Sequence, residues 1–406
     1  MFNVSLSGPK KATTPGEAPG RDVLGAVPAL ALGTFAVGTD AFVVAGFLPE
    51  LAADLGVPTA TAGQAVTVFA VAYALLSPLL ATLAARLPRR RLLVGALVGL
   101  ALANLASALA PDFAVLLASR VAAAAAAAAF TPNAGAVAAF LVRPQRRARA
   151  LAVVVGGLTV ATALGVPLGG LAGQWTGWRW ALGAVAGLAL LVAGAVAALL
   201  PYLPGNPRVA LRERLAVLRR PSVRAILPLT VLGMAAAYTV YAYSVPALAA
   251  VGLTARDTAW ALGLYGVGAI LGNLAAGLAT DRLGGVRVLR AGYVVMAAGL
   301  AGLGALAASG THAPALVGLL MVAWGAGSWC QTPPQQHRLI AAAPGEAPLV
   351  VALNSSAIYT GIGTGTLIGG LTAGPGATTM YVAAAGLALL ALAYLSLTAG
   401  ERTTTS

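Results

Sequence analysis

The chain of 406 residues carries too few charges to cover a water-soluble protein of its size: 59% of its residues are hydrophobic and only 9% are charged, whereas soluble domains have about 25% charged residues. One cysteine and two histidines exclude a disulfide framework and a Cys/His metal cluster. The net charge of +14 suits a nucleic-acid-binding protein as well as a membrane protein, and the positions of the basic residues distinguish the two.

Long apolar stretches follow one another along the whole chain. A membrane-spanning helix needs about 20 apolar residues, and twelve such stretches lie between clusters of charge. Spans 1 to 12 are predicted at approximately 24–51, 61–85, 91–110, 113–141, 148–174, 179–202, 223–250, 258–280, 286–309, 314–340, 347–373 and 377–399. The first stretch is longer than a signal-peptide core of roughly 7–15 residues, so we expect it to be retained. The pattern predicts an all-α polytopic membrane protein.

Polar segments divide this array into two halves. Residues 1–22, rich in Gly, Pro and Ser, predict a disordered cytoplasmic tail, and 401–406 a second short one. The longest polar connection, 204–222, separates a six-helix bundle at 23–203 from another at 223–400.

The basic residues alternate with the spans. All but three of the 25 Lys and Arg residues lie in the tails, or in or beside the connections that follow even-numbered spans; the exceptions are Arg120, Arg179 and Arg256. This is the positive-inside pattern. It predicts a multi-pass protein of the inner (plasma) membrane with both termini in the cytoplasm. It also accounts for the net charge without a nucleic-acid partner.

Several short segments recur in the second half at nearly equal spacing. The sequence GVPLGG at 165–170 in span 5 matches GTLIGG at 365–370 in span 11. The loop 81–88 after span 2 matches 277–284 after span 8. Matches at corresponding spans predict two parallel repeats with a site between them, which is a transporter architecture. An enzyme is not expected, because no nucleophile–base set and no nucleotide-binding loop appear.

These segments resemble the major facilitator superfamily, and within it the twelve-span drug:proton antiporters, with bacterial chloramphenicol-type efflux proteins as the most similar branch. The resemblance covers nearly the whole chain after the tail. It implies the major facilitator fold and proton-coupled efflux of lipophilic small molecules such as antibiotics by alternating access. The implied partners are a small-molecule substrate, protons and the lipid bilayer. The resemblance further implies a monomer without cofactor or metal, whose transport is driven by the proton gradient.

The family's loop after span 2 has the pattern Gly-x3-Asp-Arg-x-Gly-Arg-Arg and joins the two halves through ion pairs. Here the first copy keeps its arginines but has Ala81 and Ala85 at the Gly and Asp positions, and the second copy is more complete. The resemblance implies a conformational latch that consists of Arg86, Arg89, Arg90, Gly277, Asp281, Arg282 and Gly284. The alternative for Asp281 is a solvated loop charge without a role in switching.

Span 5 resembles the family's antiporter motif. The residues concerned are Gly165, Pro167, Gly169 and Gly170. Small residues let helices approach closely, and proline removes one backbone hydrogen bond. The resemblance implies exchange of two substrates, and ordinary helix packing is the alternative.

Asp40 is the one acidic residue, among 11 in the chain, that the span map places in the membrane core. At 1.5 Å per residue it lies about 24 Å from Leu24 and about 15 Å from Glu50. Arg120 lies about 12 Å along span 4 from Asp112, which, like Glu50, lies at the outer side. Asp40 and Arg120 are therefore at comparable depth in the membrane. A charge at this depth is costly and usually marks function. Because an arginine favours the ionised form of a carboxyl group and burial disfavours it, we predict that Asp40 and Arg120 couple transport to protons. The alternatives are a tolerated neutral acid and an arginine that reaches the outer interface.

Aromatic side chains in spans 7 and 10 are candidates for substrate binding, because aromatic surfaces favour lipophilic or planar compounds. The candidates are Tyr238, Tyr241, Tyr243, Trp324 and Trp329, with Asn354 of span 11 added through the resemblance. The alternative is an interfacial aromatic belt. Two other functions stay open: transport of a sugar or other polar metabolite, for which the core offers few polar groups, and a membrane sensor that transports nothing.

Overall fold

The structure is a computed structural model that describes residues 25–143, 146–205, 216–343 and 346–400. These residues are almost entirely helical, and no strand occurs among them. The predicted tail at 1–22 and the terminal segment 401–406 lie outside the described residues. So does 206–215, the middle of the predicted linker.

Each predicted span corresponds to one helix or to two consecutive helices. Their bounds are Ala26–Phe42 and Leu48–Asp54 (span 1), Thr59–Ala62 and Gln64–Leu83 (span 2), Arg89–Ala108 (span 3), Phe113–Leu141 (span 4), Arg147–Val160 and Val166–Thr176 (span 5), Trp178–Leu199 (span 6), Pro221–Tyr241 and Ser244–Ala249 (span 7), Ala255–Leu283 (span 8), Gly285–Ser309 (span 9), Pro314–Trp329 and Thr332–Ala342 (span 10), Ala347–Ala373 (span 11) and Ala377–Gly400 (span 12).

Among the described residues, 11 helical stretches are long and apolar enough to cross a membrane. Span 11 is not one of them, although its 27-residue helix has the predicted bounds. Asn354 and a series of Ser, Thr and Gly residues lower its hydropathy. It packs against spans 2 and 7, so neighbouring helices rather than lipid can cover its polar groups.

Spans 1 and 7, at corresponding positions of the two repeats, are both interrupted. In span 1 the α-helix ends at Phe42 and a 3₁₀ turn, Val43–Gly46, follows. In span 7 the helix ends at Tyr241 and a new one begins at Ser244. The sequence did not indicate either break within these predicted spans, because the apolar residues run through the breaks without a change in composition.

Spans 5 and 10 are also interrupted. Span 5 contains a π-helical turn at Ala161–Gly165 between two α-helical segments. Span 10 breaks after Trp329, and its second part has Pro333 and Pro334 near its start. A proline lacks a backbone N–H, so the first turn of a helix is the position that accommodates it best.

The connections lie at two ends of the bundle. At the basic end, where the connections after even-numbered spans lie, the backbone N–H of Arg89 donates to the Leu203 carbonyl (2.9 Å). At the opposite end, where the connections after odd-numbered spans lie, Arg179 pairs with Asp54 (2.9 Å). Between the ends, leucines such as Leu278 are exposed on the outer surface, as expected of helices that face lipid.

The two halves touch through span 2 with span 11 and through span 5 with span 8. About midway along the helices, the rings of Tyr73 and Tyr359 stack with their centroids 3.7 Å apart. Nearer the opposite end, the Tyr243 hydroxyl donates to the Ala60 carbonyl (3.3 Å). These contacts close the space between the halves from mid-helix to the opposite end.

Candidate functional site

Asp40 and Arg120 form an ion pair inside the N-terminal half. Arg120 Nη1 lies 2.6 Å from Asp40 Oδ1, and both side chains are fully buried. Arg120 Nη2 also donates to the backbone carbonyl of Asp40 (3.0 Å). The arginine therefore contacts the carboxylate and the backbone just before Phe42, where the α-helix of span 1 ends.

The surroundings of this pair leave part of it without a partner. The Arg120 guanidinium lies 4.6 Å from the centroid of the Phe69 ring. Asp40 Oδ2 and Arg120 Nε are buried and have no hydrogen-bond partner among the described residues. One carboxylate oxygen thus contacts the arginine, while the other has no hydrogen-bond partner among the described residues. Burying an ion pair with unsatisfied hydrogen-bonding groups costs free energy. In a membrane span such a pair usually has a function.

The predicted antiporter motif of span 5 packs directly against span 1. Three of its glycines lie so close to span 1 that a Cβ atom would overlap the neighbouring residue or press against it. The pairs are Gly165 with Thr39, Gly169 with Val43, and Gly170 with Gly46. On the other side of the same helix, Pro167 lies beside Gly263 of span 8. The motif therefore lies between the helix that carries Asp40 and the C-terminal half.

Six aromatic residues pack together where span 1 meets the C-terminal half. This aromatic cluster consists of Phe42, Tyr238, Tyr241, Tyr265, Trp324 and Trp329. Ring centroids lie 5.4 Å apart for Phe42 and Tyr238, and 4.9 Å apart for Tyr265 and Trp324. Trp324 is 0% and Trp329 is 7% exposed, so neither belongs to an interfacial belt. The structure brings together four of the predicted substrate-binding residues, all from spans 7 and 10.

Two other predicted residues lie elsewhere. Asn354 belongs to a hydrogen-bonded network inside the C-terminal half: the Thr230 hydroxyl donates to its Oδ1 (2.9 Å), and Gln335 Nε2 donates to the Thr230 hydroxyl (3.0 Å). Tyr243 lies in the contact between the halves at the opposite end. The partners of Asn354 Oδ1 and of the Tyr243 hydroxyl are therefore other parts of the protein.

Two arginines of the predicted latch contact residues of their own half. Arg89 Nη1 donates to Asn133 Oδ1 (2.8 Å), and the Arg90 side chain donates to the Ala197 carbonyl. Arg86 is exposed.

The second copy of the latch segment ends span 8 at the basic end. Gly284, whose φ of 82° favours glycine, terminates the helix. Gly277 is half-buried about two turns earlier, and Asp281 and Arg282 are exposed. Asp281 forms no ion pair with any residue that the structure describes. The latch between the halves stays a prediction.

Several residues around the site could not be identified from the sequence. Phe42 and Tyr265 belong to the aromatic cluster, and Phe69 lies against Arg120. Tyr359 of span 11 contacts both Phe69 and Tyr73 across the boundary between the halves. All are aromatics within apolar spans, and only the position of Phe42, two residues after Asp40, was a usable signal.

Comparison with known families gives one match that covers nearly the whole chain. The model of the Major Facilitator Superfamily matches residues 30–250 and 227–406. The first matched stretch covers spans 1 to 7 and the second covers spans 7 to 12, so the two overlap in span 7.

Among characterised and uncharacterised relatives, the chain is similar to the "Chloramphenicol resistance protein" of Streptomyces lividans, with 35% identity over 85% of this chain and 88% of the relative. It is 32% identical to "Inner membrane transport protein YdhP" of Escherichia coli (strain K12), over 90% of this chain and 93% of the relative. It is 28% identical to "Uncharacterized MFS-type transporter YbcL" of Bacillus subtilis (strain 168), over 84% and 87%.

Solved structures share the fold at low sequence identity. A D-xylose-proton symporter aligns with a TM-score of 0.77 at 15% identity, covering 92% of this chain and 97% of the symporter. A bacterial homologue of the lysosomal transporter Spinster, inward-facing and unoccupied, aligns with a TM-score of 0.67 at 17% identity, covering 94% and 96%. At these identities the likeness concerns the arrangement of helices alone.

Proposed function

Because the chain belongs to the Major Facilitator Superfamily, we propose that this membrane transporter exports lipophilic small molecules, antibiotics among them, in exchange for protons. The observation that carries the proposal is the buried Asp40–Arg120 pair at the break in span 1. The named relative from Streptomyces lividans supports export of an antibiotic.

The proton step follows from the two contacts of Arg120. While the guanidinium lies against Asp40, the ionised carboxylate is favoured. If the arginine moves away, the buried carboxyl group has lost its counter-charge and binds a proton instead. The same guanidinium holds the Asp40 carbonyl beside the break, so a change in the pair is also a change in the shape of span 1.

Exchange further requires that the site open to one side at a time. The contacts between the halves lie from mid-helix to the opposite end, which suits a state that opens toward the basic end. With the basic end in the cytoplasm, as the positive-inside pattern predicts, this state would take up substrate from the cytoplasm. Closure of the basic end and separation at the opposite end would then release the substrate outside and admit a proton to Asp40.

The test is transport in proteoliposomes that carry an imposed pH gradient, with chloramphenicol as the labelled substrate and xylose as a polar comparison. We expect the wild type to move chloramphenicol against the direction of proton flow, and Asp40→Asn to insert normally but to show no gradient-driven transport. The matched control is Asp54→Asn, which makes the same change at an exposed residue of the opposite end, and it should keep most of the transport. Full gradient-driven transport by Asp40→Asn would contradict the proposal, and xylose transport by the wild type would favour a polar-metabolite transporter.

The orientation has its own test. Cys330 is the chain's single cysteine and is buried, so exposed single cysteines can be placed in a Cys330→Ala background. Arg219→Cys at the basic end should react with a membrane-impermeant maleimide only after the cells are broken, and His312→Cys at the opposite end should react in intact cells. Both residues are exposed. Labelling of both from the same side would refute the predicted arrangement of spans.

A further inference from the structure

The aromatic cluster holds polar atoms that the protein does not use. The hydroxyls of Tyr238 and Tyr241 and the indole N–H of Trp324 are buried and have no hydrogen-bond partner among the described residues. All three side chains are at most 1% exposed. An unpaired buried donor is costly, because its hydrogen bonds to water are lost and nothing replaces them. Three unpaired donors on side chains that contact one another point to a ligand that supplies hydrogen-bond acceptors.

The ring faces of the cluster are less available than these polar edges. Tyr265 and Trp324 meet at an interplanar angle of 68°, and Tyr241 and Trp324 at 71°. In such edge-to-face arrangements the edge of one ring covers the face of the next. A cation that binds through a ring face would bring no acceptor to the three donors, whereas a ligand with acceptor groups can satisfy them.

The charges near the cluster point the same way. Its six members include no carboxylate and no basic side chain. Asp40, two residues before Phe42, is already neutralised by Arg120. A cationic ligand would add a second positive charge near the guanidinium in a low-dielectric environment, and every proton taken up by Asp40 would increase the repulsion.

We propose that the substrates are uncharged aromatic or planar compounds that carry hydrogen-bond acceptors, such as nitro, carbonyl or sulfonyl groups, and no basic amine. Such a ligand enters between Phe42 of the N-terminal half and the tyrosines of span 7, and it accepts hydrogen bonds from Tyr238, Tyr241 and Trp324. This inference rests on the proposed export function, but it concerns binding and is tested without a proton gradient.

The test measures equilibrium binding and thermal unfolding of the full-length protein in lipid nanodiscs. One panel contains uncharged acceptor-bearing aromatics, namely chloramphenicol, a diaryl ketone and a diaryl sulfone. The other contains cations of similar size, including tetraphenylphosphonium. We expect the uncharged panel to bind and to raise the unfolding temperature, and the cations to bind at least tenfold more weakly. Tighter binding of the cations, or no binding by any uncharged compound, would overturn the inference.

Single hydroxyl deletions make the test specific. Tyr238→Phe and Tyr241→Phe should each weaken binding of the uncharged compounds about five- to tenfold, the value of one hydrogen bond. Without ligand they should leave the unfolding temperature unchanged or higher, because they remove an unpaired buried hydroxyl.

The control is Tyr381→Phe. The Tyr381 hydroxyl donates to the Ala247 carbonyl (3.1 Å), so this variant should lower the unfolding temperature and leave binding unchanged. Unchanged binding in both cluster variants would show that the hydroxyls do not contact the ligand. Bound compounds that are not moved by a pH gradient would instead refute proton-coupled export and leave the binding inference intact.

Discussion

The two halves of this transporter share one fold but carry different chemistry at corresponding spans. Spans 1 and 4 of the N-terminal half hold a fully buried ion pair, Asp40 with Arg120. Spans 7 and 10 of the C-terminal half hold tyrosines and tryptophans instead, with Tyr238 and Trp324 both at 0% exposure. A buried charge must be matched by a partner, whereas an aromatic ring is stable in an apolar interior by itself. Corresponding spans of a duplicated scaffold can therefore carry an ion pair in one half and an uncharged cluster in the other.

The polar groups of the C-terminal half show the same contrast. Thr230, Gln335 and Asn354 satisfy part of one another's hydrogen-bonding capacity without a carboxylate, and the Tyr293 hydroxyl donates to Gln331 (3.0 Å). Neutral amides and hydroxyls do not change charge at physiological pH. The proposed function uses this difference: it assigns proton binding to the ion pair of the N-terminal half and substrate binding to the aromatic cluster of the C-terminal half.

The largest expected effect comes from breaking the ion pair. Arg120→Ala leaves the buried Asp40 without its counter-charge, so we expect a loss of about 3–5 kcal/mol in stability together with complete loss of proton coupling. Arg120→Lys keeps the charge but cannot contact the carboxylate and the backbone carbonyl with one planar group, so its coupling should be intermediate. The measurements are the thermal unfolding temperature in detergent and substrate-induced proton release.

A surface arginine provides the control for this change. Arg220 lies 3.7 Å from Glu346 and is about half exposed, and exposed pairs contribute only about 0–1 kcal/mol. Arg220→Ala should therefore unfold close to the wild-type temperature and keep proton release. Equal losses in Arg220→Ala and Arg120→Ala would remove the distinction between the core of the N-terminal half and the rest of the protein.

The next effect concerns the boundary between the halves. A Cβ atom at Gly266 of span 8 would overlap the backbone of Ala163 in the π-helical turn of span 5. Gly266→Ala should push the halves apart and slow transport by about tenfold or more, since a shift of 1.4 kcal/mol in a step of the cycle is already tenfold. In Gly263→Ala, one turn away, the new Cβ would lie 4.0 Å from its nearest neighbour, Pro167, and transport should stay near the wild-type rate. Equal rates for the two variants would show that this crossing does not limit the cycle.

The smallest effect is expected at the latch. Asp281 is exposed at the basic end, and an exposed pair formed when that end closes would contribute up to about 1 kcal/mol. Asp281→Asn should therefore slow transport roughly two- to fivefold without affecting stability. Glu346→Gln is the matched change of an exposed acid at the same end. A rate for Asp281→Asn equal to that of Glu346→Gln would leave this acid without a role in switching. Restoring the first copy with Ala85→Asp is a poor test, because Ala85 is buried.

Length and charge predicted most of the fold. The bounds of spans 4 and 11 agree with the sequence because charged residues, prolines or connections limit them on both sides. The breaks in spans 1 and 7 could not be predicted in this way, since hydropathy does not respond to the backbone change from α to 3₁₀ within an apolar segment. In span 11 the helix was predicted correctly, although its hydropathy is too low for it to count among the apolar membrane-spanning stretches.

The sequence predicted the ion pair better than the aromatic cluster. Asp40 and Arg120 are rare residue types for a membrane core, so an estimate of depth was enough to bring them together, and the structure has them in contact. Tyrosines and tryptophans occur both in cores and at membrane interfaces, and only the packing of Trp324 between Tyr241 and Tyr265 distinguishes the two. The place of Asn354 in a network with Thr230 depends on the crossing of spans 7 and 11, which no local pattern specifies.

The π-helical turn at Ala161–Gly165 affects how this chain is compared with its relatives. A π-turn accommodates one residue more than the same length of α-helix, so every side chain after Gly165 is rotated by about 100° from the position that an uninterrupted helix would give it. Against a relative whose span 5 is an uninterrupted α-helix, an alignment without a gap would therefore place non-equivalent residues against span 1. Deletion of one residue within the turn would restore the α-helix, and it would turn Gly169 and Gly170 away from Val43 and Gly46 without changing any residue of the motif. In this transporter the contact between spans 5 and 1 thus depends on the number of residues in the turn as well as on the glycines that follow it.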